Sequence, residues 1–215
     1  LSYNIDGLIL TGKQHSDRMV QYVRASGIPV AELMDFGGQQ LDIQVGFDNE
    51  KAAWDMTHAF LESGKRAIAF FGSMDDPRDL NRFHGTELAL AEHGLKAYHM
   101  APKTISSVAL GRQMFLQMQQ SRPDIDAIFC TNDDLAVGVL LECQAQGKAV
   151  PQEMAIAGFH GLEIGRARLQ KIASVITPRY DIGKTASEIL IARLAGKDAP
   201  DSVNLAYQIY YGDTL

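Results

Sequence analysis

Short, mostly apolar runs alternate along the chain with longer stretches in which apolar residues return every third or fourth position. The short runs are Ile5 to Thr11, Pro29 to Asp35, Ala67 to Gly72, Ala97 to Ala101, Ala127 to Thr131, Ala155 to Phe159, Ala173 to Thr177 and Leu205 to Tyr211. Several are apolar on consecutive positions, the pattern of strands covered on both faces in a parallel sheet. The periodic stretches predict helices over Asp17 to Ser26, Asn49 to Ser63, Leu80 to His93, Asp133 to Gln146 and Asp181 to Leu194, with Gly27, Gly64, Gly94, Gly147 and Gly196 just beyond them as stop signals. Strand and helix in strict alternation predict an α/β chain with helices on both faces of a parallel sheet.

Two places break the rhythm. Gly37-Gly38-Gln39-Gln40 is a polar turn ahead of the short run Ile43 to Phe47, and Thr177-Pro178-Arg179 separates a strand from its helix with a residue that fixes the backbone. Both are expected to be crossings between lobes.

Composition narrows the classes of function. The chain has 215 residues, 46% hydrophobic and 21% charged, enough for one large core or two small ones. A formal net charge of -6 gives no basic surface for a phosphate backbone, so contact with nucleic acid would need another segment. Cys130 and Cys143 are the only cysteines and are read as small core residues in a reducing, cytoplasmic setting rather than as a disulfide or nucleophile. No apolar run has the length of a membrane helix, and the first residues carry neither a methionine nor a cleavage signal, so a longer natural protein is expected.

In open parallel sheets ligands sit beyond the carboxyl ends of strands, which directs attention to the few polar residues there. They are Thr11, Glu32 and Asp35 in the first part of the chain, then Arg78, Arg82, Asn132, Asp133 and His160. Arg82 has the planar fork that pairs with a carboxylate or a diol; its bland alternative is a surface salt bridge to Asp75, Asp76 or Asp79. Asn132 and Asp133 stand at a helix start, where capping and the helix dipole explain them as well as hydroxyl recognition does. His160, flanked by Gly161 at a strand end, is read as a ligand contact against the default of a structural histidine.

Signatures of catalysis are missing: no Gly-x-Ser-x-Gly, no Walker loop, no Gly-x-Gly-x-x-Gly after a strand, no Cys-x-x-Cys and no His-Glu-x-x-His. The six histidines are scattered without metal-ligand spacing. The chain is therefore expected to bind rather than to turn over, with no catalytic residue, no metal and no cofactor.

Several stretches together resemble the effector-binding domain of the lactose/galactose repressor family: Asn4-Ile5-Asp6-Gly7-Leu8-Ile9-Leu10-Thr11, Val45-Gly46-Phe47-Asp48-Asn49, Arg82-Phe83-His84-Gly85, Cys130-Thr131-Asn132-Asp133-Asp134-Leu135-Ala136-Val137-Gly138, Val150-Pro151 and Ile156-Ala157-Gly158-Phe159. Val30 to Asp35, Ala157 to Gly165 and Ala173 to Arg179 resemble its gluconate-type branch, which has His160 where most relatives have Asp. The resemblance implies a periplasmic-binding-protein-like (type I) fold: two doubly wound parallel-sheet lobes joined by a three-strand hinge. Tracing the chain on that fold predicts an N-terminal lobe of 1–47 and 178–197, incomplete at its start, and a C-terminal lobe of 48–177 and 198–215. It implies an allosteric repressor whose operator DNA is read by an N-terminal helix-turn-helix domain outside this sequence, while this domain forms a homodimer and binds gluconate, phosphogluconate or a similar sugar acid. Thr11, Arg82, Asn132 and His160 would contact the effector, with Glu32, Asp35 and Asp133 as further candidates. A periplasmic sugar-binding transport receptor of the same fold is the alternative, without membrane insertion in either case.

Overall fold

The computed structural model describes residues 5–12, 14–38, 40–73 and 76–215. Asn4, Gln39 and Asp75, all used in the sequence reading, lie outside them. The chain divides into two compact units, Leu1–Asn49 with Pro178–Ala206, and Glu50–Thr177 with Tyr207–Leu215.

The first unit has a four-stranded parallel sheet in the order β1 (Leu8–Leu10), β2 (Val30–Leu33), β3 (Ile43–Gly46), β9 (Ser202–Asn204). Helix α1 (Asp17–Ser26) is capped by the Ser16 hydroxyl, which accepts from Met19 N, and stops at left-handed Gly27, as its punctuation predicts. Helix α7 (Arg179–Leu194) buries Ile182, Ala186, Ile189 and Leu190, spaced so that they share one face. The turn at Gly37 and Gly38 is not a crossing between lobes. It joins β2 to β3 inside this unit, held by Gln44, whose side chain accepts from Gly37 N (2.9 Å) and donates to Gly37 O (3.2 Å).

The second unit has six strands in the order β10-β8-β7-β6-β4-β5. These are β4 (Ile68–Phe71), β5 (Tyr98–Met100), β6 (Ala127–Cys130), β7 (Ala155–His160), β8 (Ala173–Ile176) and β10 (Gln208–Tyr210); only β10 runs antiparallel. β4 and β6 are wholly buried, as consecutive apolar residues require. On one sheet face Phe70, Phe129 and Phe159 form a run of ring contacts, met by Phe60 of α2 (Asn49–Glu62) and Phe83 of α3 (Pro77–Ala91). On the other, Ile128, Cys130 and Ile156 pack with Met114, Phe115 and Met118 of α4 (Val108–Ser121) and with Leu135, Val139 and Cys143 of α5 (Asp133–Ala145). The crossing of α4 and α5 is close: a Cβ on Gly111 would overlap the Leu135 carbonyl, and one on Gly138 would overlap the Val108 carbonyl and Gly111 Cα. A short helix, α6 (Glu163–Arg166), follows β7.

The last crossing between units falls at Ala206 and Tyr207, later than the tracing that ended the first lobe at 197. The reason is β9, whose Val203 pairs with Val45, while Leu205 N donates to Gly46 O at 2.7 Å. What reads in sequence as one strand, Leu205 to Tyr211, is divided: its first residue is bonded in the first unit, and Gln208–Tyr210 pairs with β8 in the second.

Candidate functional site

In the second unit the chain leaves β4 for β5 on the outer side, then returns to β6 on the inner side. The carboxyl ends of β4 and β6 thus form a topological switch point, where loops diverge and leave a crevice. α3 leaves β4 through a loop closed by Asp76, which caps the helix through Arg78 N (2.9 Å) and pairs with the Arg78 side chain (2.6 Å). Arg78 is therefore the arginine in the surface salt bridge.

Arg82 is placed quite differently, being only 5% exposed. Its Nη1 donates to the Thr131 carbonyl (2.9 Å) and the Thr131 hydroxyl (3.1 Å), and its guanidinium lies 4.0 Å from the centre of the Phe159 ring. Residues from α3, β7 and the end of β6 thus fix one cation at the switch point. Asp79, one turn earlier on α3, stands 3.9 Å from Arg82 Nη1. One Asp79 oxygen accepts from Ser73 N at 2.8 Å and the other accepts the Thr131 hydroxyl in a short bond. Burial raises the Asp79 carboxyl to about 6, outweighing the Ser73 N–H and the Arg82 charge that oppose it.

Asn132 caps α5, its side-chain oxygen accepting from Leu135 N at 3.1 Å, while its amide donates to Ser106 Oγ in the loop after β5. Asp133 is 1% exposed and committed to the fold. It accepts from the Ser174 hydroxyl of β8 (2.7 Å) and from Leu162 N, and Ser174 Oγ in turn accepts from Gly161 N (3.0 Å). Gly158 is required beneath it, since a Cβ there would overlap Asp133. This network shapes the loop in which His160 (φ 90°) and Gly161 (φ 61°) are both left-handed. A left-handed histidine is uncommon and needs such anchoring. The His160 ring is 5.2 Å from that of Phe159, so it belongs to the same constellation as Arg82.

In the first unit Thr11 is exposed directly after β1. Glu32 is buried in β2, accepting from Leu41 N (2.7 Å) and bonded to His15 Nε2 (3.0 Å). Asp35 is buried and accepts from Asn49 Nδ2 at 2.9 Å, next to left-handed Met34. Both acids hold the β2–β3 connection.

The structure brings Arg82, Asn132, Asp133 and His160 to one edge of the second sheet. Sequence reading named Asp79 only as a possible surface salt-bridge partner of Arg82, where the structure has it as a buried neighbour, and it missed Thr131, Phe159, Ser174 and Ser106 as supports. Asp79 was detectable as an acid three residues before Arg82, one helical turn away; nothing in the sequence marks the others. Among the described residues no cluster of His, Cys, Asp or Glu could hold a metal ion, and no helix is long and apolar enough to cross a membrane.

Residues 57–215 match the family model described as periplasmic binding protein-like domain. Over its full length the chain is 49% identical to the HTH-type transcriptional regulator IdnR and, likewise over its full length, 43% identical to the HTH-type transcriptional regulator GntR, both of Escherichia coli K12. It spans 65% of the length of each. The crystal structure of transcription regulator GntR from Chromobacterium violaceum superposes with a TM-score of 0.93 at 32% identity, covering 97% of this chain and 78% of that one.

Proposed function

Given that the chain belongs to the periplasmic binding protein-like family, in the form carried by LacI-family transcription regulators, we propose that it is the effector-binding and dimerisation domain of a DNA-binding repressor sensing gluconate or a related sugar acid. The observation that carries this reading is Arg82: a buried arginine at the switch point, held by Thr131 and Phe159. Asp79, 3.9 Å from Nη1, already offsets the charge of this buried cation, and the planar fork of the guanidinium is matched to a ligand carboxylate as well. Asn132 and His160 bond effector hydroxyls. On the first unit, taken by itself, Thr11 is the candidate polar contact, with Glu32 and Asp35 as further candidates, and Asp133 acts through the loop it shapes. Named relatives that are transcription regulators favour signalling over transport and support a cytoplasmic setting for the whole protein. Effector binding then shifts the repressor between states of different operator affinity.

Calorimetric titration of the intact protein with sodium gluconate tests the reading. Arg82→Ala is expected to lose about 2 to 4 kcal/mol of binding, the range for a charged hydrogen bond whose partner is left buried. Arg82→Lys, which keeps the charge and loses the fork, falls between Ala and wild type. Wild-type affinity in Arg82→Ala refutes the assignment.

A further inference from the structure

Asp79 and Arg82 are tied together by more than their charges. An ionised carboxylate can only accept hydrogen bonds, and Asp79 accepts two: Ser73 N–H on one oxygen and the Thr131 hydroxyl on the other. The Thr131 oxygen, having given up its proton in that direction, accepts from Arg82 Nη1. Asp79 therefore orients Thr131, Thr131 orients Arg82, and the Asp79 charge 3.9 Å away offsets that of the guanidinium.

A ligand carboxylate arriving at Arg82 would bring the same counter-charge. Two buried carboxylates on one guanidinium repel, and the lower-energy arrangement protonates one of them. Asp79 can accept a proton without losing a bond. Its neutral acid donates O–H to Thr131 Oγ, whose second lone pair still accepts from Arg82, while the other oxygen still accepts from Ser73. The Thr131 hydroxyl proton is then released to turn toward a ligand oxygen.

We propose that Asp79 is a positioning residue for the Arg82 site and that binding of a carboxylated effector there is coupled to uptake of one proton by Asp79. The proposal rests on the effector reading above. Burial has already brought the Asp79 carboxyl to about 6, so an added negative charge needs to move it only a little further to keep it protonated near neutrality. Among the described residues, the charges acting on Asp79 from its own segment are Arg82, Asp76 and Arg78. From β6 it meets Thr131, with the Asp133 carboxylate engaged by Ser174 and Leu162; from β7 the titratable group in the constellation is His160, beside Phe159. A neutral polyol brings no charge to compete with Asp79, so the device selects sugar acids over sugars and strengthens that selection in mild acid.

Calorimetry of gluconate binding to the intact wild-type protein at pH 6.5, in two buffers of different ionisation enthalpy, counts the protons exchanged. On the order of half a proton or more should be taken up, and affinity should weaken by up to about tenfold per pH unit above 6. Asp79→Asn, whose amide reproduces the neutral acid's bonds, should take up none, bind more tightly than wild type at pH 8 and show a flat profile. Gluconate binding by the wild type without proton uptake overturns the proposal and leaves the effector reading standing, as does uptake unchanged in Asp79→Asn. No gluconate binding at any pH overturns the effector reading and the coupling with it.

Discussion

Replacing Asp133 by alanine separates an effector ligand from a structural carboxylate. The side chain is accepted into the fold by two donors, the Ser174 hydroxyl and Leu162 N–H, with almost no solvent access. Alanine leaves both unpaired, at roughly 1 to 3 kcal/mol each, and removes a charge from the first turn of α5 worth about 0.3 to 1 kcal/mol more. A loss of about 3 to 5 kcal/mol follows. Asparagine keeps one acceptor toward Leu162 and turns its amide to Ser174, whose hydroxyl proton then lacks a partner, so Asp133→Asn should lose only about 1 to 2 kcal/mol. The assay is local: this chain of 215 residues has one tryptophan, Trp54 on α2, so its fluorescence in urea reports the second unit. At an m-value of about 2 kcal/mol per molar urea, Asp133→Ala moves the midpoint down by about 2 M. A midpoint unchanged within about 0.5 M, together with a collapse in gluconate affinity, would make Asp133 an effector ligand and refute the structural account.

The buried Asp79 makes stability depend on pH in a stated direction. Its carboxyl is at about 6 when folded against an ordinary 3.8, so folding takes up a proton between those values; the stabilising contribution is complete below about pH 4 and lost as pH rises through 6. Asp79→Asn removes that dependence, and its unfolding free energy in urea should gain on wild type by roughly 2 to 3 kcal/mol between pH 4 and 7.5; parallel curves contradict this. Burial also raises the Cys143 thiol to about 12 and the Cys130 thiol well up. Neither should react with an aromatic disulfide at pH 8 in the native state, and both should do so in denaturing urea. Rapid native labelling would show the second core to be open.

Elements marked by their own residues were legible. Helix α1 ends where Ser16 and Gly27 say it should, and β6 is as buried as its apolar run demands. Helix α4 was overlooked although Ser107 caps it and Met114, Phe115 and Met118 share its buried side; polar residues from Arg112 to Gln120 obscured the period. Features created by distant contacts could not be read. Leu205 to Tyr211 looks like one strand because pattern does not record that two different sheets claim its halves. In the site, Arg82 was singled out by its residue type and its place after a strand, but its burial depends on Thr131, 49 positions later, and on the Phe159 ring. The left-handed backbone of His160 has no signature of its own and exists because Ser174 and Asp133 hold the loop.

The crossing of α4 and α5 has a further consequence, for how such a sequence can change over generations. Gly111 rests against the backbone of α5, and Gly138 rests against that of α4 and against Gly111 itself. A side chain at either position forces the helices apart, which opens a void around the other and removes the reason for its glycine. The two sites are therefore coupled through packing, and substitutions at them are expected to be non-additive. A side chain at 111 with glycine kept at 138 is expected to shift α4 against α5, and with it Asn132 and Ser106, which flank the same pair of helices.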